Sequence, residues 1–100
     1  MNLKDKVIVV TGGAQGLGLE MATMCAEAGA HLALIDMNTE QLGRAQEQLA
    51  AHGVNVRTYQ GNVADEATVE QIFGFIAEDF GAIDGLINNA GILRDGLLLK

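Results

Sequence analysis

The run Val7-Ile8-Val9-Val10, followed at once by Thr11-Gly12-Gly13-Ala14-Gln15-Gly16-Leu17-Gly18, constrains this chain more than any other stretch. Consecutive β-branched apolar residues, too few for a helix and bounded by glycine, predict a strand buried on both faces. Glycines at 12, 16 and 18 ahead of an apolar-periodic, proline-free run predict a turn that opens directly into a helix. The first N–H groups of such a helix lack intrahelical partners, and glycine lets another group lie against the backbone. An anion such as the pyrophosphate of a dinucleotide satisfies those donors and the positive end of the helix dipole. Taken alone, the G-x-x-x-G-x-G spacing also suits a helix entered through a glycine-rich turn for packing reasons, so the downstream residues must decide.

Those residues alternate between the two periodicities. Leu17, Met21, Met24, Cys25 and Ala28 fall at helical spacing and are expected to face the core, with Gly29 as the stop. His31–Ile35 reads as a second strand ending at Asp36. Asn38 with Gln41 resembles a capping box, and Leu42, Ala45 and Leu49 mark one face of a second helix before Gly53. Residues 54–60 are rich in strand formers and predict a third strand, followed by Gly61-Asn62-Val63. Asp65 is placed to cap a third helix carrying Val69, Ile72, Phe73, Ile76 and Phe80, stopped at Gly81. Ile83–Ile87 predicts a fourth strand, turned away by Asn88-Asn89-Ala90-Gly91.

Strands alternating with helices specify βαβ units and an α/β fold with a parallel sheet. Two units of the mononucleotide-binding kind make a Rossmann-type, doubly wound sheet in the order 3-2-1-4, which reverses direction after the third strand. The reversal opens a crevice above the carboxyl ends of strands one and four, where the loops bearing Gly12, Asp36, Asn62 and Asn89 should converge. Helices one and two are expected on one face of the sheet and helix three on the other.

A net charge of −7 with six basic residues argues against nucleic acid and anionic membrane surfaces and for a small or soluble partner. No apolar run approaches membrane-spanning length, and the first strand follows Lys6 too closely for a signal peptide, so a cytoplasmic setting is expected. Cys25, the single cysteine, is expected in the core. His31 and His52 are too dispersed for a triad or a metal site, and no metal ligand set is expected.

Together these residues resemble the short-chain dehydrogenase/reductase family: Thr11–Gly18 matches its T-G-x-x-x-G-x-G loop, Asn62-Val63 its adenine-contacting pair and Asn88–Gly91 its N-N-A-G motif. The tail Ile92–Leu99 looks like the segment that follows N-N-A-G in 3-oxoacyl-(acyl-carrier-protein) reductases and related branches. The resemblance implies that Gly12, Gly16, Leu17 and Gly18 hold the pyrophosphate, Asn62 and Val63 the adenine, and Asn89, Ala90 and Gly91 the adenosine ribose, with Thr11 tying the glycine loop to the Asn-Asn-Ala-Gly turn. Local backbone satisfaction is the expectation for Asn88 itself, a common use of asparagine in turns. Asp36, about 20 residues beyond the loop, suits the ribose hydroxyls and repels a 2′-phosphate. Neither Gln15 nor Met37, where NADP-using relatives often carry arginine, is basic. These cues predict NAD in preference to NADP, although reductases of fatty-acid synthesis usually take NADPH.

The family's reaction is hydride transfer between nicotinamide and a carbonyl or alcohol, with a tyrosine and lysine in a Y-x-x-x-K pair beyond N-N-A-G. Here the one tyrosine is Tyr59, within the third strand, and Val63 stands four residues on, so no catalytic residue is assigned. The expectation is an oxidoreductase whose cofactor-binding part these residues supply. Its substrate would be a small molecule or acyl thioester, and the intact protein a homo-oligomer. A nucleotide-binding module without catalysis and a purely structural α/β domain are the alternatives. Residues 1–100 are expected to form the amino-terminal part of a single domain that continues further. Strand four lacks the lysine, proline or bulge that protects an edge, and Gly96-Leu97-Leu98-Leu99-Lys100 places three leucines together.

Overall fold

The computed structural model describes residues 2–89. The elements are β1 (Val7–Thr11), α1 (Gly16–Glu27), β2 (His31–Asp36), α2 (Thr39–Ala50), β3 (Val56–Gln60), α3 (Glu66–Phe80) and β4 (Gly85–Asn88). All pairings are parallel and the strand order is β3-β2-β1-β4, as the alternation of elements requires.

Side-chain alternation along the strands divides the core in two. Ile8, Val10, Leu32, Leu34 and Val56 pack with Ala22, Cys25 and Ala26 of α1 and with Leu42, Ala45 and Leu49 of α2. Val9, Ala33 and Ile35 face the other way, against Ile72 and Ile76 of α3, with Phe73 and Phe80 at the margin. Two helices therefore cover one face and one helix the other. The expected stripes of α2 and α3 are the buried ones, and Cys25 is buried, which pushes its thiol pKa up. Burial of the central strands is nearly complete, which explains the unbroken apolar runs.

The expected face of α1 is corrected. Leu17 is 61% and Met24 58% exposed, and the residues turned to the sheet are Gly18, Ala22, Cys25 and Ala26. Small residues face inward because the helix begins hard against the glycine loop, as the contact at Gly18 described below shows. Two strands are also shorter at their amino ends than expected, because side chains replace ladder bonds there. Asn55 donates its N–H to His31 Nδ1 (3.1 Å), and β3 begins at Val56. At the other edge the Asp84 carboxylate accepts the Val7 N–H at 2.8 Å while the Asp84 N–H donates to the Val7 carbonyl at 2.8 Å, so Asp84 caps β1 and β4 begins at Gly85.

Helix boundaries follow their caps. Asn38 Oδ1 accepts the Gln41 N–H at 3.0 Å, but the reciprocal half of the expected capping box is not made. The Asn38 N–H points instead to Asp36 Oδ1 at 3.5 Å, and Gln41 Oε1 is buried without a partner. Asp65 caps α3 through the Ala67 N–H, and Gly81, at φ 82°, ends it in the left-handed conformation. No helix among the described residues is long and apolar enough to cross a membrane.

Candidate functional site

At the carboxyl edge of the sheet, a continuous set of hydrogen bonds joins the ends of all four strands. The Gly61 N–H donates to the Asp36 carbonyl at 3.0 Å, linking β3 to β2, and the Gly12 N–H donates to the Ile35 carbonyl at 2.7 Å, linking β1 to β2. Between β1 and β4, the Thr11 hydroxyl donates to Asn88 Oδ1 at 2.8 Å and Asn89 Nδ2 donates to the Gly12 carbonyl at 3.4 Å. The residues expected to converge, Gly12, Asp36, Asn62 and Asn89, do come to this edge. The side-chain oxygen of Asn88 ties β4 to β1. Thr11, 4% exposed, makes the link expected of it.

The glycine loop has a shape only glycine allows. A Cβ on Gly18 would lie 2.0 Å from the Gly12 carbonyl oxygen and 3.0 Å from Asn89 Nδ2, so the first turn of α1 presses directly on the loop and on the β4 end. Gly16 has φ 58°, in the left-handed region, and a Cβ there would meet nothing within 4 Å. The space in front of Gly16 is therefore open while the space behind Gly18 is closed. Gln15, extended at φ −159°, stands at the helix N-cap without a side-chain cap bond, and the first turn contains no acidic residue. The leading N–H groups of α1 have no intrahelical acceptor and face an open cradle with a positive potential, as anion binding requires. Leu17, exposed, stands at the head of that turn.

Asp36 occupies the adjacent position. Its Oδ2 accepts the Ala14 N–H at 3.1 Å and its Oδ1 the Met37 N–H at 2.8 Å, so the carboxylate is held against the glycine loop. A carboxylate has about four acceptor positions, so beside these two bonds and the longer 3.5 Å contact from the Asn38 N–H there is room for a further hydroxyl donor. The Ala14 contact was not legible in the sequence, because it uses only a backbone N–H. Asn62 Oδ1 accepts the Ala64 N–H at 2.9 Å, which closes the turn into α3, and Val63 packs on the α3-side core. Ala90 and Gly91 lie outside the described residues, as does the leucine-rich tail.

Tyr59 lies in β3, and its hydroxyl donates to Asp79 Oδ2. Burial first, and then its 2.7 Å hydrogen bond to Asp79 Oδ2, push its pKa above the ordinary tyrosine value, partly opposed by Arg57. A tyrosine general base needs the opposite shift. Among the described residues no group of three His, Cys, Asp or Glu side chains is placed to hold a metal.

Parallel βαβ topology in the order β3-β2-β1-β4, with a glycine loop leading into α1, defines a Rossmann-like α/β fold. The short chain dehydrogenase family model matches residues 6–100, and the chain belongs to that family. It is 38% identical over 96 residues to 2,3-dihydro-2,3-dihydroxybenzoate dehydrogenase of Bacillus subtilis, covering 96% of this chain and 37% of that protein. Over 100 residues it is 39% identical to the 3-oxoacyl-(acyl-carrier-protein) reductase of Vibrio cholerae, covering all of this chain and 40% of the relative. Among solved structures, NAD+-bound xylitol dehydrogenase superposes with TM-score 0.83 at 37% identity, over 86% of this chain and 33% of its own. The L-sorbose reductase of Gluconobacter frateurii, complexed with NADPH and L-sorbose, gives TM-score 0.87 at 35% identity, over 91% and 35%. The chain thus spans about two fifths or less of these relatives, and they include both NAD+ and NADPH complexes.

Proposed function

We propose that these residues form the NAD(H)-binding part of an oxidoreductase that transfers hydride between nicotinamide and a carbonyl or alcohol. The observation that carries this reading is the Asp36 carboxylate fixed 3.1 Å from the Ala14 N–H of the glycine loop. A pyrophosphate in the cradle of Gly12, Gln15, Gly16, Leu17 and Gly18 puts the adenosine ribose beside Asp36. The adenine then falls to Asn62 and Val63, and the adenosine ribose also to Asn89, Ala90 and Gly91. The bound nicotinamide supplies the hydride chemistry; these residues bind and orient it. The 100 residues contain no Tyr-x-x-x-Lys pair, so proton transfer falls to groups outside them, in a domain of which they are the amino-terminal part.

NAD is preferred because Asp36 accepts hydrogen bonds from ribose hydroxyls and repels a 2′-phosphate, with no basic side chain at Gln15 or Met37 to offset the repulsion. A charged hydrogen bond contributes about 1.5–3 kcal/mol, or roughly tenfold to a hundredfold in affinity. Calorimetric titration with NADH and NADPH should show at least tenfold tighter binding of NADH, with Asp36→Ala eroding the difference. Equal affinities in the unaltered chain would overturn the preference. The substrate is a small molecule or an acyl thioester, the intact protein a cytoplasmic homo-oligomer. The second reading, nucleotide binding without turnover, draws on the missing pair and is separated from the first by NADH oxidation assays on the full-length gene product.

A further inference from the structure

The segment that presents Asp36 is braced from its far side by a residue outside the cofactor set. In the β2–β3 register Asp36 stands opposite Gln60. The Gly61 N–H donates to the Asp36 carbonyl at 3.0 Å, and Gln60 Nε2 reaches further, to the Met37 carbonyl at 3.3 Å. Met37 is also the residue whose N–H holds Asp36 Oδ1 at 2.8 Å. Its two backbone torsions separate the donor that orients the carboxylate from the carbonyl that Gln60 grips. Met37's side chain is 61% exposed, and the residue after it, Asn38, caps α2. Gln60 thus grips, from the neighbouring strand, the same 37–38 peptide whose Asn38 N–H points to Asp36 Oδ1 at 3.5 Å.

We propose that Gln60 is a positioning residue for adenosine recognition, which sets the Met37 peptide so that Asp36 is held ready for the ribose 2′-hydroxyl. This rests on the ribose reading of Asp36 given above. A neutral hydrogen bond of this kind is worth about two- to tenfold in an equilibrium, and its effect must pass through the Asp36–ribose contact.

The test is a thermodynamic cycle on the full chain, with calorimetry of NADH and of its 2′-deoxyadenosine analogue. Gln60→Leu, which removes the donor and leaves an apolar side chain one atom shorter, should weaken NADH about two- to tenfold and leave the 2′-deoxy analogue unchanged. In an Asp36→Ala background the Gln60 effect on NADH should vanish. Gln60→Thr, a good strand former too short to reach Met37, repeats the measurement should the leucine variant fold poorly. Equal losses for both ligands, or no loss, would overturn the positioning role while leaving the ribose reading standing. Unaltered NADH affinity in Asp36→Ala overturns the ribose reading itself, and the Gln60 proposal with it.

Discussion

Replacing Gly18 by alanine places a methyl group 2.0 Å from the Gly12 carbonyl oxygen, about 1 Å inside the closest approach real Cβ atoms tolerate. Three contributions set the cost. Alanine gains about 1 kcal/mol over glycine from helix propensity. Overpacking costs about 1–3 kcal/mol, and the upper end applies because the neighbour is backbone rather than a flexible side chain. Forcing the loop away also breaks the Asn89-to-Gly12 bond, worth about 1 kcal/mol. The sum is a loss of about 2–3 kcal/mol, or roughly 8–24 °C in Tm for a unit of about 100 residues. Gly16→Ala has no neighbour within 4 Å and pays only for its positive φ, about 1–2 kcal/mol. Both variants should lose NADH affinity, Gly18→Ala by distorting the loop and Gly16→Ala by putting a methyl into the open cradle. Thermal unfolding followed by circular dichroism, with calorimetry on the folded fraction, separates them. A Gly18→Ala protein as stable as Gly16→Ala would refute the close approach on which the loop's shape depends.

Gly43 in α2 and Gly74 in α3 are exposed helical positions where a Cβ meets nothing within 4 Å, so Gly43→Ala and Gly74→Ala should each raise stability by about 0.5–1 kcal/mol in urea unfolding without altering NADH binding. Thr11→Val keeps the buried volume but strands Asn88 Oδ1, and should cost about 1–3 kcal/mol by the same assay. Tyr59 has its folded pKa raised, so its contribution is fully present below the unfolded tyrosine value near 10 and is lost as pH rises through the higher folded value. With one tyrosine and no tryptophan, the tyrosinate absorbance should titrate clearly above pH 10 in the native protein, and a midpoint at or below 10 contradicts the Asp79 bond.

The strand order and the two-sided core were legible because the strands are continuous apolar runs and the stripes of α2 and α3 have a single helical phase. Helix α1 was not, because apolar residues lie around much of its circumference. What selects its buried face is residue size next to the glycine loop, so hydropathy pointed rightly to Cys25 but wrongly to Leu17 and Met24, while packing also chose Gly18, Ala22 and Ala26. Strand ends were misplaced by two residues where His31 and Asp84 supply the bonds that a ladder otherwise makes. In the site, glycine and asparagine positions carried a visible spacing. The Ala14 N–H and Gln60 did not, since one acts through backbone and the other through a single side-chain bond across two strands.

In the proposed function the carboxyl edge of the sheet receives the adenosine diphosphate part of NAD(H), with its pyrophosphate on the glycine loop and its ribose on Asp36. An NMR titration of the 15N-labelled chain with NADH measures this directly, amide by amide. The N–H groups of Ala14, Gly16, Leu17, Gly18 and Met37 should shift saturably and together, while His52 and Gly53, in the turn between α2 and β3, stay fixed. Shifts confined to the opposite edge, or none in the glycine loop at saturating NADH, would contradict the account.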